Sequence, residues 1–284
     1  MSEPAPISVL IPARNEAANL PACIASVGFC DEIVVVDSGS TDGSSALART
    51  AGAIVEEFHW GGDYPKKKNW ALEHFPWRHE WVLILDADER ITPALAAELR
   101  AAVASPAFDG YYLNRRFYFL DGWLNHCGYF PSWNLRFFRH RLGRYEIPAG
   151  RAETASGDNE VHEHVQLRGR PGYLSAPMEH YAFPSVEAWV EKHNRYSNWE
   201  ARTMLMPPGE SRETLEPGLA RKRRLKSIAR KLPFRPALRF FYHYVWRAGF
   251  LDGYRGYAFC RLLAFYEFLT DVKIQELKRR KPTN

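Results

Sequence analysis

Hydrophobic residues in the first half of the chain come in two patterns. "ISVLIP", "EIVVVD" and "WVLILD" are short, unbroken, β-branched apolar runs. They lack the alternation of a half-exposed strand and read as strands covered on both faces. "AIVEEF" is a weaker strand of the same kind. Between them the apolar positions fall at helical spacing, in "EAANLPACIASV", "SSALARTAG", "NWALEHF" and "TPALAAELRAAVAS". The serines opening the second helix are fit to cap it, and Gly52 ends it. Thr92 is the expected N-cap of the last, with Pro93 in its first turn. Alternating strands and helices predict an α/β fold: a Rossmann-like, mostly parallel sheet flanked by helices.

In such sheets ligands bind beyond the carboxyl ends of the strands. Arg14, Asn15 and Glu16 follow the first strand, Asp37 and "SGSTDGS" the second, and Asp86, Ala87 and Asp88 the third strong one. Three strand ends thus bring polar groups to one rim. On extended chain Asp86 and Asp88 would share a face and meet one object. Two carboxylates so close repel unless a cation or a donor intervenes. Few, hard oxygen ligands suit Mg²⁺ or Mn²⁺ completed by water and substrate phosphates. "PKKKN" offers Lys66, Lys67 and Lys68 as countercharge, although such a run taken alone reads as solvated. "SGSTDGS" has no Lys-Ser/Thr and is no P-loop.

Composition limits the alternatives. With 46% hydrophobic and 25% charged residues the chain can bury a sizeable core. No signal peptide is expected at its start, and no stretch approaches the length of a membrane span. The four cysteines form no C-x-x-C pair, which fits a reducing cytosol rather than a zinc or disulfide scaffold. The net charge of +5 is concentrated: Pro217 to Leu251 holds ten Lys/Arg and no Asp/Glu.

Together "SVLIPARNE", "EIVVVDSGSTDGS", "KKNWALEH" and "WVLILDADE" resemble the nucleotide-sugar half of family 2 glycosyltransferases with the GT-A fold. "LNHCGYFPSWNLRFFRH", "VHEHV", "EHYAFPSVEAWVEKHNRYSNWEA" and "GFLDGYRGYAFC" look like the branch containing bacterial lipopolysaccharide core β-glucosyltransferases. The resemblance implies a metal-dependent, inverting transfer of glucose from UDP-glucose to a lipopolysaccharide core or other glycolipid. It implies that Pro12, Arg14 and Glu16 border the nucleotide, that Asp37 meets uridine, and that Lys68 lies near ribose or phosphate. Asp86 would touch the ribose beside Ala87, and Asp88 would hold the metal. Many members have a second aspartate where Ser38 stands here, so one base contact is missing from the pattern.

The second half must supply a base for the acceptor hydroxyl and a place for the acceptor. Asp158, Glu160 and Glu163 in "GDNEVHEHVQLRG" are the candidates. The resemblance selects Glu163, although on a regular strand it would face away from His162 and His164. His180 is a candidate for the metal sphere. Trp123, His126, Trp133 and Arg136 are candidates for the acceptor pocket, since sugars stack on aromatic rings; Phe137 and Phe138 read as core. "SVEAWVEKHNRYSNWEARTML" reads as an amphipathic helix opened by Ser185.

A catalytic domain is expected over 1–215, with a nucleotide-sugar half at 1–105 and an acceptor half at 106–215. A basic, aromatic helical extension follows at 216–284. Pro233 and Pro236 break it into a cationic piece and an aromatic piece, the composition of helices that lie on anionic bilayers. The expected place is therefore the cytoplasm, at the cytoplasmic face of the inner membrane. Nucleic acid ranks well behind membrane and behind plain packing. Other functions considered are a sugar nucleotidyltransferase, whose glycine-rich loop "PARNE" lacks, and a binding module without catalysis.

Overall fold

The computed structural model describes residues 3–147, 158, 164–205 and 234–279. The chain forms two compact units, 1–118 with 130–182, and 119–129 with 183–284. The boundary expected at residue 215 lies outside the described residues, as do Glu160, Glu163 and the cationic piece before Phe234.

The first unit is built on one sheet. Its strands are β1 (Ala5–Ala13), β2 (Cys30–Asp37), β3 (Ile54–Glu57), β4 (Trp81–Ile84), β5 (Glu89–Arg90), β6 (Gly110–Phe119), β8 (Trp133–Arg139) and β11 (Pro171–His180). A two-residue β7 (Gly122–Trp123) falls in the second unit, and β9 (Gly143–Tyr145) pairs with β10 (Val165–Leu167) as a separate hairpin. The order across the sheet is β3-β2-β1-β4-β8-β6-β11-β5. The four strands read from the first apolar runs are mutually parallel. β8 is antiparallel to both its neighbours, β11 is parallel to β6, and β5 is antiparallel to β11. β1 has β2 on one side and β4 on the other, so the order reverses there. That is the crevice where open α/β sheets bind ligands.

The unbroken apolar runs are explained by a core on each face. Helices α1 (Leu20–Ser26), α2 (Ser44–Thr50) and α4 (Pro93–Ala104) cover one face with Leu20, Cys23, Ala48, Leu95 and Leu99 against Val9, Ile11, Val35 and Leu83. Helix α3 (Lys67–His74) and the β9–β10 hairpin cover the other with Ala71, Leu72 and Tyr145 against Leu10, Val34, Val36 and Ile84. Phe137 and Phe138 are buried core residues, as expected. Thr92 caps α4, its hydroxyl accepting from the Leu95 amide at 3.2 Å. The serines of α2 do not cap it. Its N-cap is Gly43, at φ 88°, a left-handed conformation that costs glycine little. Ser44 and Ser45 serve the neighbouring loops instead.

In the second unit, α5 (Val186–Leu205) packs on the long helix α7 (Gly253–Arg279). Ser185 opens α5 as expected, accepting from the Ala188 amide at 3.0 Å. His193 stacks on Trp189 at 3.6 Å and meets the edge of Tyr266. Burial there drives the His193 pKa down to about 4. Lys273 closes the pair by donating to the carbonyl and side chain of Asn194 and to Ser197. Before α7 lie the short α6 (Arg235–Phe241), a π turn over Tyr242–Trp246 and a 3₁₀ turn over Gly249–Asp252.

Candidate active site

The rim of the first unit is stitched together by the loops after β1 and β2. Asn15 takes a left-handed φ of 55°, which asparagine tolerates better than most residues. Its amide donates to Ser40 Oγ at 2.8 Å and its Oδ1 accepts from the Thr41 amide at 2.8 Å. The Glu16 amide donates to Ser44 Oγ and the Ala17 amide to Asp42. Pro12 is buried at the end of β1, Glu16 is half-buried and accepts from Asn19, and Arg14 is exposed in the loop. Asp37 ends β2, and its carboxylate accepts from the hydroxyls of Ser40 (2.5 Å) and Ser45 (2.6 Å). The "SGSTDGS" loop is therefore a scaffold that aims Asp37 and holds the first loop in place.

The three lysines of "PKKKN" are buried rather than solvated, each 2% exposed or less. A buried ammonium requires partners, and remote parts of the chain supply them. Lys67 donates to the carbonyl of Ala13 at 2.8 Å and pairs with Asp158 at 3.2 Å. Lys68 pairs with Asp86 at 2.9 Å, with its ammonium 5.3 Å from the Tyr145 ring centre. Burial pushes the Lys67 pKa down, only partly offset by Asp158. Burial works to lower the Lys68 pKa as well, but the Asp86 charge and hydrogen bond together with Tyr145 outweigh it and raise the pKa.

The acidic knot after β4 is not an extended strand with both aspartates on one face. β4 stops at Ile84, and Leu85 to Asp88 carry the chain from mid-sheet toward β11 in a turn. Glu89, fully buried, anchors that turn by accepting from the Asp86 amide at 2.9 Å. Arg136 reaches both carboxylates, at 2.5 Å from Asp86 and 3.4 Å from Glu89, and Arg115 lies 3.5 Å from Glu89. Nη1 of Arg136 is buried with no hydrogen-bond partner among the described residues. Burial works to raise the Asp86 pKa, but Arg136 and then Lys68 outweigh it and hold it well below the usual range. Arg136, a candidate for the acceptor pocket, thus pairs with the two carboxylates of this turn.

Asp88 points elsewhere. Its Oδ2 lies 3.4 Å from Nε2 of His180, and its carbonyl accepts from the Tyr181 amide at 2.8 Å. β5 and β11 pair residue by residue here, Glu89 with His180 and Arg90 with Glu179. Tyr118 and Tyr181 stack at 4.7 Å and both donate to Glu179. Ala87 is buried between the two aspartates, its carbonyl accepting from Arg90. Among the described residues no three His, Cys, Asp or Glu side chains form a metal cage. One carboxylate and one imidazole side by side fit Mg²⁺ or Mn²⁺ only as an incomplete shell that waters and substrate oxygens finish, which is how such ions are usually bound.

Trp133 begins β8 at the same rim; it is exposed and meets the edge of Tyr173 at 5.1 Å. Trp123 and His126 belong to the second unit, where Asp252 accepts from the His126 amide and lies 2.7 Å from its Nδ1. Of the three candidate bases only Asp158 is among the described residues. Burial works to raise its pKa, but the Lys67 charge and the Ser38 hydroxyl prevail and lower it. Sequence reasoning passes over Glu89 and Tyr145. Glu89 carries a usable signal: a third carboxylate beside two others in so apolar a context has to be paired.

Asp86 and Asp158 give the fold a definite acid sensitivity. Both folded pKa values lie below that of the unfolded chain, about 3.9. Their contribution is fully present above that pH and is lost as pH falls through the folded values. Urea titrations from pH 6 to 2 should show unfolding free energy falling below about pH 4, with a shallower slope in Asp86→Asn. Equal slopes would mean that Asp86 gains nothing from its two cations.

Residues 8–163 match the Glycosyl transferase family 2. The lipopolysaccharide core biosynthesis glycosyltransferase LpsC of Rhizobium meliloti (strain 1021) is 32% identical over 95% of this chain and 92% of its own. An uncharacterised glycosyltransferase of Rickettsia felis is 28% identical over 95% of this chain and 89% of its own. Glucosyl-3-phosphoglycerate synthase from Mycobacterium tuberculosis, solved with Mn²⁺, UDP and glucosyl-3-phosphoglycerate, is 25% identical over 39% of this chain and 44% of its own, with a TM-score of 0.32. With the family match spanning more than half of its length and the Rhizobium likeness nearly all of it, this chain belongs to glycosyl transferase family 2 and is a glycosyltransferase.

Proposed function

We propose that the protein transfers glucose from UDP-glucose to the lipopolysaccharide core or a related glycolipid, with inversion, at the cytoplasmic face of a membrane. The observation that carries this reading is the charge layout at the rim, where the buried Lys68 and Arg136 grip the half-buried Asp86 beside the Asp88–His180 pair. A sugar donor leaves behind a diphosphate, and its developing negative charge is what a site of this kind must stabilise. Lys68 and Arg136 hold fixed positive charge there, and Nη1 of Arg136, without a hydrogen-bond partner among the described residues, is a donor to spare. Asp88 and His180 would hold Mg²⁺ or Mn²⁺, which supplies Lewis-acid neutralisation of the diphosphate when bound. Asp37, oriented by Ser40 and Ser45, would receive the uracil, with Pro12, Arg14 and Glu16 bordering it. Asp86 and Ala87 would take the ribose. The name of the Rhizobium relative supports the acceptor class.

Glu163 would take the proton from the acceptor hydroxyl. Asp158 is the weaker candidate, because a carboxylate paired with Lys67 and held at low pKa is a poor proton acceptor. Trp133 would meet the acceptor sugar.

Two measurements test the reading. UDP-glucose with Mn²⁺ should raise the melting temperature of the wild type, and GDP- and dTDP-sugars should do so less. Glu163→Gln should keep that shift while losing transfer about a hundredfold, the lower end of general-base effects. Normal transfer by Glu163→Gln would pass the role to Glu160.

A further inference from the structure

In the second unit one helical segment has its faces reversed. Phe234, Leu238, Phe241, Tyr242 and Val245 follow one another at steps of three, four and one, a stripe along a single helical face. On a helix packed against a core, such a stripe points inward. Here all five are exposed, Phe234 to 81%. Charge is turned inward instead. Arg235 pairs with Glu267 and, at 2.5 Å, with Asp271, and Arg239 pairs with Glu267. The exposed stripe continues through Trp246 (75%), Phe250, Leu251 and Tyr254 (76%). A contiguous apolar stretch of this kind is not left to water without a purpose.

Two observations identify its cover. The exposed residues are chiefly Phe, Tyr and Trp, and amphipathic rings of the Trp and Tyr kind favour the headgroup level of a bilayer. The surrounding segment, Pro217 to Leu251, has ten Lys/Arg and no acid; within it Arg235 and Arg239 are neutralised by the pairs just described. A second copy would present the same positive charge, whereas an anionic lipid surface complements it. No described helix is long and apolar enough to cross a membrane, so the contact is in plane.

We infer that the face from Phe234 to Tyr254 is an interfacial anchor. Its rings enter the headgroup boundary of an anionic bilayer, and Arg247 and Arg255, exposed among those rings, meet lipid phosphate. The anchor gives purpose to the glycolipid reading of the active site but is measured without any donor.

The test is co-sedimentation of the full chain with vesicles of phosphatidylglycerol and phosphatidylcholine, against phosphatidylcholine alone. Binding is expected to the anionic vesicles only, at least tenfold weaker in roughly 0.5 M salt, with a blue shift of tryptophan emission. Phe241→Ser with Trp246→Ser should weaken it at least tenfold, leaving the melting temperature and its shift by UDP-glucose unchanged. Absence of binding to anionic vesicles, or equal binding by the double variant, overturns the inference. So does a dimer in sedimentation velocity that the double variant dissolves without any vesicle binding. Vesicle binding with no response to any nucleotide sugar would leave the anchor standing and reject the proposed reaction.

Discussion

Asp88→Asn is expected to lower kcat/KM about a thousandfold and to abolish the melting-temperature shift that Mn²⁺ adds to UDP-glucose. The reasoning rests on how the two aspartates divide their work. Asp86 already has two cations on it, Lys68 and Arg136, and cannot give its charge to a metal without losing them. Asp88 has His180 at 3.4 Å. Removing its charge takes away the carboxylate of the proposed two-residue metal site. Metal stabilisation of a leaving group contributes several kcal/mol, and each ~1.4 kcal/mol is tenfold in rate. The bond from the Tyr181 amide to the Asp88 carbonyl is kept in the variant, and the melting temperature without ligand is the control for its fold. Chelation by EDTA should reproduce the loss in the wild type. A variant with wild-type turnover would remove the metal from this end of β4.

Arg136→Met should show the opposite pattern, a large effect on stability that precedes any on rate. Its guanidinium serves a carboxylate with no exposure at all, Glu89, and a second, Asp86. Removing one partner of a buried ionic network costs about 3–5 kcal/mol, because the remaining charges stay desolvated. Arg115 and Lys68 still reach one carboxylate each, which favours the lower figure. Differential scanning calorimetry should then record a fall in melting temperature of roughly 6–12 °C. A variant as stable as the wild type would show that Arg115 and Lys68 suffice, and that Arg136 is kept for a ligand alone.

The parallel strands are legible because burial on both faces leaves no polar position to alternate with, and the text of β1, β2 and β4 says so directly. Thr92 is legible because a cap is local chemistry. Asp37, Asp86 and Asp88 read as rim residues and lie there, since a charge that ends a buried strand has only the rim to occupy. Two of the failures share one cause, partners that lie far along the chain. A lysine run looks solvated until the carboxylates that bury it are known, and those lie at positions 86 and 158, far along the chain. The extended Asp86–Asp88 pair is a local inference overruled by Glu89, which bends the chain from below. The aromatic piece after Pro233 is legible as helical. Which of its faces meets water depends on Glu267 and Asp271, some thirty residues on.

The short bridge from Leu85 to Asp88 also sets a mechanical tolerance. It leaves a central strand and must arrive in step with the last residues of β11, where alternate positions face opposite ways. One residue more or fewer would rotate every later side chain by half a turn, turning the anchoring glutamate out to solvent and an arginine into its socket. The spacing of the acidic motif is thus a fixed span as well as a set of charges, and its length should tolerate change as little as its chemistry.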